Sequence, residues 1–219
     1  MALKALTIVS TLALCLAAAG VVQADGPDSA SQRLYLGVRG GATLALDDDG
    51  KINDVLHDHG FTAQARTSTS SGMYGGYLGY WVAPRIAVEA GIDHLGSYDV
   101  RVNGAAISDI SRIASDIKSL KPVGGRAEYL QVRFSTPVVE RFSLSSGVGI
   151  FFSQDSGSLV MPGGSVDLAK NRMGGMTELG ANYQLWRGLD LRAGWQAYVT
   201  TNFDLVNVFH GGVEFRFGQ

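Results

Sequence analysis

The chain has 219 residues, a hydrophobic share of 46% and a formal net charge of −2 at pH 7. This length fits one domain, and a charge balance so close to neutral argues against a nucleic-acid-binding protein. The hydrophobic share excludes a disordered chain, although glycine is abundant at 29 residues. Cys15 is the only cysteine, so a disulfide framework is excluded as well.

The N-terminus has the pattern of a secretory signal. Lys4 precedes an apolar run over residues 5–22, which ends at a short site of small residues. A transmembrane helix is the alternative, but the flank that follows is acidic at Asp25 and contains no basic stop-transfer cluster. We therefore expect residues 1–24 to be cleaved and residues 25–33 to form a short periplasmic segment.

Beyond the signal, no apolar run approaches the roughly 20 residues that a membrane-spanning helix needs. Instead, segments of about ten residues alternate apolar residues with polar residues or glycine, which indicates strands with two different faces. In one segment, Val132 and Phe134 share a face and Arg133 lies on the other. The eight predicted strands cover residues 34–43, 73–82, 86–96, 128–136, 142–152, 178–185, 190–199 and 208–217.

One face of these strands combines balanced charges with many glycines. A face in water would favour lysine and glutamate with few glycines, whereas arginines, acids and glycine fit the narrow interior of a closed barrel. Because the interior of an eight-stranded barrel is just wide enough for side chains to fill, we expect the charges to pair there. A conducting polar pore is the alternative. The predicted lumen network consists of Arg39, Glu89, Asp93, Arg133, Glu178, Arg192, Glu214 and Arg216.

Aromatic residues gather near the strand ends, as they do at the two interfaces of a bilayer. The general preference of aromatic residues for strands is the alternative explanation. The predicted girdle near the short turns contains Tyr80, Trp81, Phe142, Trp186 and Phe217, and the one near the long loops contains Tyr98, Phe152, Phe203 and Phe209. Three tight corners alternate with longer loops at 44–71, 97–125, 154–172 and 200–207, as in barrels with short periplasmic turns and long external loops.

The order of three loose motifs carries a family resemblance. They are the aromatic and glycine segment at 77–81, the strand at 86–92 and the terminal strand at 212–217. The chain resembles the OmpA-like family of small outer-membrane β-barrel proteins. The resemblance implies an eight-stranded antiparallel up-and-down transmembrane β-barrel in the outer membrane of a Gram-negative bacterium. It also implies that the barrel-assembly machinery recognises the terminal aromatic Phe217.

The loops hold three candidate sites. Residues 47–53 are similar to a calcium-binding loop, but two key ligand positions are apolar, so a solvated acidic turn is the alternative. His57 and His59 with Asp58 form a weak transition-metal motif. Apolar residues recur at three- and four-residue steps over residues 108–120, which predicts a short amphipathic helix. This helix would either close the barrel mouth or contact the outer leaflet or a partner.

These patterns favour a monomeric barrel that serves as a scaffold and recognises a host or cell-surface ligand through its loops. The alternatives are a small-solute pore and a lipid A-modifying enzyme. Catalysis would need a histidine beside a nucleophile; His94 lies on the lipid-facing side without a matching serine, and His210 faces the lumen. We therefore expect no enzymatic activity and no cofactor. The expected partners are outer-membrane lipid and lipopolysaccharide, with no nucleic acid among them.

Overall fold

The structure is a computed structural model that describes residues 33–45, 49–67, 70–117, 123–201 and 205–217. The predicted signal at 1–24, nearly all of the predicted periplasmic segment, and Phe203 lie outside the described residues. The described residues form twelve strands and two α-helices. In chain order the strands are β1 (Leu34–Ala45), β2 (Gln64–Thr67), β3 (Ser70–Ala83), β4 (Ile86–His94), β5 (Val100–Asn103), β6 (Arg126–Ser135), β7 (Phe142–Asp155), β8 (Ser158–Met161), β9 (Gly164–Asp167), β10 (Lys170–Trp186), β11 (Leu189–Thr200) and β12 (Leu205–Arg216). The helices are α1 (Asp49–Asp58) and α2 (Ile110–Ile117), and a short 3-10 helix covers Ile107–Asp109.

Eight of the strands close into an antiparallel barrel, in the order β1-β12-β11-β10-β7-β6-β4-β3. The predicted fold class, an eight-stranded antiparallel up-and-down barrel, is confirmed. Closure pairs the first strand with the last, so the barrel has no open edge. In this pairing Val38 lies opposite Val213. A closed ladder satisfies every backbone group without water, which is the condition for crossing a bilayer with strands.

Several barrel strands are longer than the alternation predicts. β10 covers Lys170–Trp186, whereas the pattern indicates 178–185. Its first residues include Lys170, Asn171 and Arg172, which are polar. The strand therefore continues past the apolar band, where lipid no longer selects alternating residues.

The outward face of the barrel is apolar and exposed. Leu36, Val38 and Ile150 expose 47%, 55% and 52% of their surface, although each stands in the middle of a regular strand. A protein in water would have to cover a band of this kind. Hydrocarbon tails are the medium that such a wall requires.

The long loops contain a second folded unit, which we call the cap domain. It consists of the four-stranded sheet β2-β5-β8-β9 together with α1 and α2. The sheet has one buried face, and α1 packs beside β2 while α2 packs beside β8 and β9. The alternation at the sequence level does not reveal this sheet, because each of its strands has only four residues. Neither helix is long and apolar enough to cross a bilayer.

Candidate functional site: a filled lumen beneath the cap domain

The centre of the lumen is a buried network of ion pairs. Arg192 joins two acids, with Nη2 at 2.7 Å from Oε1 of Glu178 and Nη1 at 2.9 Å from Oε1 of Glu89. Arg133 lies beside it, with Nη1 at 2.7 Å from Oε2 of Glu214. All five side chains are almost wholly shielded from solvent, at 2% exposure or less. Buried charges require this arrangement, because an unpaired ion in a dry interior is strongly destabilising.

The network continues in both directions along the lumen. On the loop side, Arg39 donates to both carboxylate oxygens of Asp93, from Nε at 3.0 Å and from Nη2 at 2.6 Å. On the turn side, Arg216 pairs with Asp190. The structure thus brings all eight predicted lumen residues to the inner face of the barrel. Asp190 was not predicted as a member, although it shares the face of Arg192 in the same strand.

Neutral amides add hydrogen bonds to the network. Gln131 donates to Oε2 of Glu178 at 3.0 Å, and Oδ1 of Asn182 accepts from Nη2 of Arg133 at 2.8 Å. Their signal in the sequence is their position on the polar face of a strand, Gln131 with Arg133 in β6 and Asn182 with Glu178 in β10. Charge alone does not identify them.

Aromatic rings fill the lumen between the charges. The guanidinium carbon of Arg192 lies 4.8 Å from the ring centre of Tyr77, and that of Arg39 lies 5.0 Å from the ring centre of Tyr129. Glycine makes room for these rings, because a Cβ added at Gly37 would overlap the ring of Tyr77. The lumen is therefore packed with cation–π contacts as well as ion pairs.

Trp81 belongs to this interior, and its assignment to a lipid-facing girdle is wrong. Only 7% of Trp81 is exposed, and its ring centre lies 5.6 Å from that of Tyr35 and 5.6 Å from the guanidinium carbon of Arg133. The physical reason is the two-residue period of a strand. Tyr80 faces outward with 40% exposure, so its neighbour Trp81 must face inward.

Near the loops the lumen contains an apolar layer. Phe151 and Tyr198 make an edge-to-face contact with ring centres 4.9 Å apart, and both are buried together with Met73 and Leu95. The hydroxyl of Tyr198 donates to Oδ2 of Asp93 at 2.5 Å, which joins this layer to the charges below.

Tyr98 closes the mouth above this layer, and its assignment to a girdle is also wrong. It is fully buried, and its hydroxyl donates to Oγ1 of Thr43 at 2.7 Å. Tyr98 follows the end of β4, where the chain leaves the wall and turns over the lumen. Burial raises the pKa of the Tyr98 phenol above its ordinary value, and the hydrogen bond with Thr43 partly offsets that rise.

The cap domain has a hydrophobic core of its own. The predicted amphipathic helix is present as α2, and its apolar side chains Ile113 and Ile117 are fully buried. They pack in one cluster with Leu56, Val102 and Leu159. The apolar face of α2 is therefore used inside the cap domain and does not lie against the outer leaflet.

The predicted calcium-like segment is largely the first part of α1. Asp47 and Asp48 lie outside the described residues, and among the residues that are described, no group of three or more His, Cys, Asp or Glu side chains could hold a metal. Asn53 has a structural contact instead. Its amide accepts from the N–H of Ala65 at 2.7 Å and donates to the carbonyl of Ala65 at 3.3 Å, which covers the edge of β2. His59 pairs with Asp116, with Nδ1 3.3 Å from Oδ2.

The family model for the outer membrane protein beta-barrel domain matches residues 11–217. The chain belongs to this family of outer-membrane barrels. The family match gives the chain an outer-membrane location. It also confirms the OmpA-like resemblance of the motifs. A comparison with curated proteins finds no match.

The solved structures to which the chain is similar are distant in sequence. The N-terminal β-barrel domain of Pseudomonas aeruginosa OprF is 10% identical, with 85% of this chain and 98% of that chain covered and a TM-score of 0.51. Neisserial surface protein A is 11% identical, with 84% and 97% covered and a TM-score of 0.47. Ail of Yersinia pestis, solved with the heparin analogue sucrose octasulfate, is 7% identical, with 84% and 99% covered and a TM-score of 0.43.

The remaining predicted girdle residues face outward from this outer-membrane barrel. Tyr74, which was not predicted, lies among them with 65% exposure. Its signal was available, because it shares the outward phase of β3 with Leu78 and Tyr80. The predicted girdle residues that face outward are Tyr80, Phe142, Trp186 and Phe217 towards the short turns, and Phe152 and Phe209 towards the loops.

The two histidines considered for catalysis have other neighbours. His94 packs on Tyr74, with ring centres 4.9 Å apart. His210 is buried in the lumen, where Nε2 lies 3.5 Å from Oε1 of Glu178. Both positions are explained by packing within the wall and the lumen.

Proposed function

We propose that this outer-membrane protein is a surface-recognition protein of a Gram-negative bacterium, in which the barrel is the support and the cap domain contacts a host or cell-surface ligand. The observation that carries the proposal is the separate hydrophobic core of the cap domain. Loops that only connect strands need no core, whereas recognition requires a surface held in a fixed shape on a rigid scaffold.

The filled lumen supports the same proposal. Arg39, Arg133 and Arg192 lie inside the lumen with their acids, and aromatic rings occupy the space between the charges. Transport of a small solute would require these buried pairs to separate, which is strongly unfavourable in a dry interior. A pore is therefore the weaker candidate. Discrete single-channel currents from the refolded protein in a planar bilayer would favour it.

Attachment of cells to epithelial monolayers tests the proposal. Cells that display the wild-type protein should attach better than cells that display Ile113→Asp, because a buried charge destroys the core of the cap domain. The matched control is Ser111→Asp, since Ser111 is an exposed position of the same helix. The heat-dependent gel shift of each protein should show equal amounts of assembled barrel. Equal attachment by all three strains would contradict the proposal.

Two further partners belong to this proposal. We expect the barrel-assembly machinery to recognise the last strand, whose final aromatic Phe217 donates its N–H to the carbonyl of Leu34 at 3.0 Å. We also expect a monomer, because closure pairs β12 with β1 of the same chain and leaves no barrel edge for a second copy.

A further inference from the structure

An ion pair stands on the lipid-facing side of β6, where the wall is otherwise apolar. Nη2 of Arg126 lies 2.7 Å from Oε1 of Glu128, and the two side chains are 54% and 56% exposed. The cross-strand neighbours of Glu128 are Ile92 and Phe152, both exposed to the hydrocarbon side. Charges are costly beside acyl chains at the middle of a bilayer and much less so near its interfaces. Because Phe152 belongs to the girdle towards the loops, the pair stands at the height where acyl chains meet phosphorylated head groups.

An open groove of about 730 Å³ begins at this pair and extends down the outer wall. Its sides include Leu36, Ile92 and Leu78, and small residues such as Gly76 and Ala90 form its floor. A smaller hollow of about 170 Å³ above it shares Arg126 and Glu128. The two hollows join an apolar channel to a charged rim, which is the shape of a site for an amphiphile.

The cap sheet contains a second basic feature. Arg66 of β2 lies directly opposite Arg101 of β5, so the two side chains share one exposed face. Like charges directly opposite each other destabilise a sheet. Within the described part of the chain no carboxylate pairs with either guanidinium, and Asp167, the only acidic residue in the four cap strands, lies on the opposite edge strand β9. An external anion would remove this repulsion.

The arginine pair belongs to the part of the cap sheet that is connected to the groove strands. In the chain β2 precedes β3 and β5 follows β4, and residues of β3 and β4 line the groove. We therefore expect the two arginines above this part of the wall.

The geometry points to a binding site for lipid A, the phosphorylated glycolipid anchor of lipopolysaccharide, on the outer wall at β3, β4 and β6. One acyl chain lies in the groove over Gly76 and Ala90, and Arg126 binds a phosphate at the rim. Arg66 and Arg101 bind the second phosphate above it. Guanidinium groups suit phosphate because they donate two parallel hydrogen bonds. Glu128 holds one side of the Arg126 guanidinium and opposes the phosphate by its charge. This inference goes beyond recognition by the cap domain and depends only on the outer-membrane location.

Native mass spectrometry of the refolded full-length protein, titrated with bisphosphorylated lipid A in detergent, tests the site. We expect Arg126→Gln and the double variant Arg66→Gln with Arg101→Gln each to weaken binding about tenfold, the effect of losing one charge-assisted contact. Glu128→Gln should strengthen binding, because it removes the repulsion and releases the guanidinium. The charge-matched control is Arg187→Gln, in an exposed turn at the opposite end of the barrel.

A second pair of variants tests the groove without changing any charge. A Cβ added at Gly76 meets only the carbonyl oxygen of Gly37, at 3.5 Å, so Gly76→Val should fold and fill the groove. Gly211→Val is the matched control, because Gly211 is also on the outer wall and a Cβ there meets only the carbonyl oxygen of Arg192, at 4.0 Å. We expect Gly76→Val to weaken binding several-fold and Gly211→Val to leave it unchanged.

Dephosphorylated lipid A separates phosphate recognition from simple adhesion of acyl chains. The site requires the dephosphorylated form, which lacks both phosphates, to bind the wild type at least as weakly as the bisphosphorylated form binds Arg126→Gln. Equal affinity of the wild type for both lipids would overturn the inference. The inference would also be overturned if neither Arg126→Gln nor the double variant at Arg66 and Arg101 lowered the affinity for bisphosphorylated lipid A. If Glu128→Gln weakened binding, direct contact between Arg126 and a phosphate would be excluded.

Discussion

The lumen and the cap domain are built on opposite principles. The lumen is stabilised by ion pairs, amide hydrogen bonds and arginines stacked on aromatic rings. The cap domain is stabilised by a compact set of aliphatic residues such as Ile113, Leu56 and Val102. The surrounding medium explains the difference. The barrel stands in hydrocarbon, so burying more apolar surface inside it would gain little, whereas the cap domain stands in water and folds by the ordinary hydrophobic effect.

This difference gives the two regions different roles. A lumen held by buried charges tolerates little rearrangement, because each ion depends on its partner. It suits a fixed support. The cap domain shares few contacts with the lumen beyond the layer at Tyr98, so its surface can vary without affecting the barrel.

The largest effect is expected from loss of a single lumen charge. Arg133→Met leaves Glu214 without its closest partner, and Glu178→Gln removes the closest partner of Arg192. We expect each variant to lower the free energy of unfolding of the barrel by about 3–5 kcal/mol. Urea titration of the refolded protein in lipid vesicles, followed by the heat-dependent gel shift, measures this change. Arg187→Gln is the exposed control, and an unchanged urea midpoint in both lumen variants would refute the paired network.

A cavity in the cap core should have a local effect of nearly the same size. Ile113→Ala removes a fully buried side chain and should destabilise the cap domain by about 2–5 kcal/mol. We expect faster cleavage of the cap domain by protease while the urea midpoint of the barrel stays at the wild-type value. Ser111→Ala, on the exposed side of the same helix, should change neither quantity. A lowered barrel midpoint in Ile113→Ala would show that the two regions unfold together.

Tyr98 lies where the two regions meet, and its removal should have a smaller effect that depends on pH. Tyr98→Phe loses the hydrogen bond to Thr43, which is worth about 1 kcal/mol. Because burial raises the pKa of this phenol in the folded state, its contribution is complete below the ordinary value of about 10 and is lost as the pH rises through the folded pKa. Protease resistance of the wild-type cap domain should therefore fall more steeply above about pH 10 than that of Tyr98→Phe. If protease resistance fell with pH in the same way in the wild type and in Tyr98→Phe, ionisation of Tyr98 would not affect the stability of the cap domain.

The smallest effect concerns the arginine pair on the cap sheet. Arg101→Glu converts a like-charge pair with Arg66 into an opposite-charge pair. We expect the cap domain to gain roughly 0.2–1 kcal/mol, seen as slower proteolysis at low salt. The rate of proteolysis of the cap domain in Arg101→Gln should lie between the rates of the wild type and Arg101→Glu. A cap domain less resistant in Arg101→Glu than in Arg101→Gln would contradict the pairing of these two side chains.

The sequence predicts the barrel because a bilayer imposes a strict two-residue period on each strand. The same period also shows that the girdle cannot contain both Tyr80 and Trp81, because they are neighbours and only one of them can face lipid. Tyr98 gives no such signal, because it lies in a coil after β4. Its position depends on how the chain turns over the mouth.

The cap domain is harder to predict, because its strands are too short to show a period. Helix α2 is the exception, because its apolar spacing predicts it. The turn between β8 and β9 also has a local signal, since Pro162 and Gly163 connect the two strands and Gly163 has a positive φ of 99°, as a tight turn of this kind requires. Helix α1 was not predicted, because its first part is similar to a calcium-binding loop. The parallel pairing of β5 with β8 joins segments distant in the chain, so no local pattern indicates it.

Hydrogen–deuterium exchange of the refolded protein in lipid tests most directly the claim that a rigid barrel supports a separately folded cap domain. In Ile113→Ala, exchange should rise in α1, α2 and the four cap strands and stay at the wild-type rate in the eight barrel strands. In Arg133→Met, it should rise in the barrel strands that contact the lumen network. If Ile113→Ala raised exchange in the cap domain and the barrel together, the two regions would form one cooperative unit and the claim would be wrong.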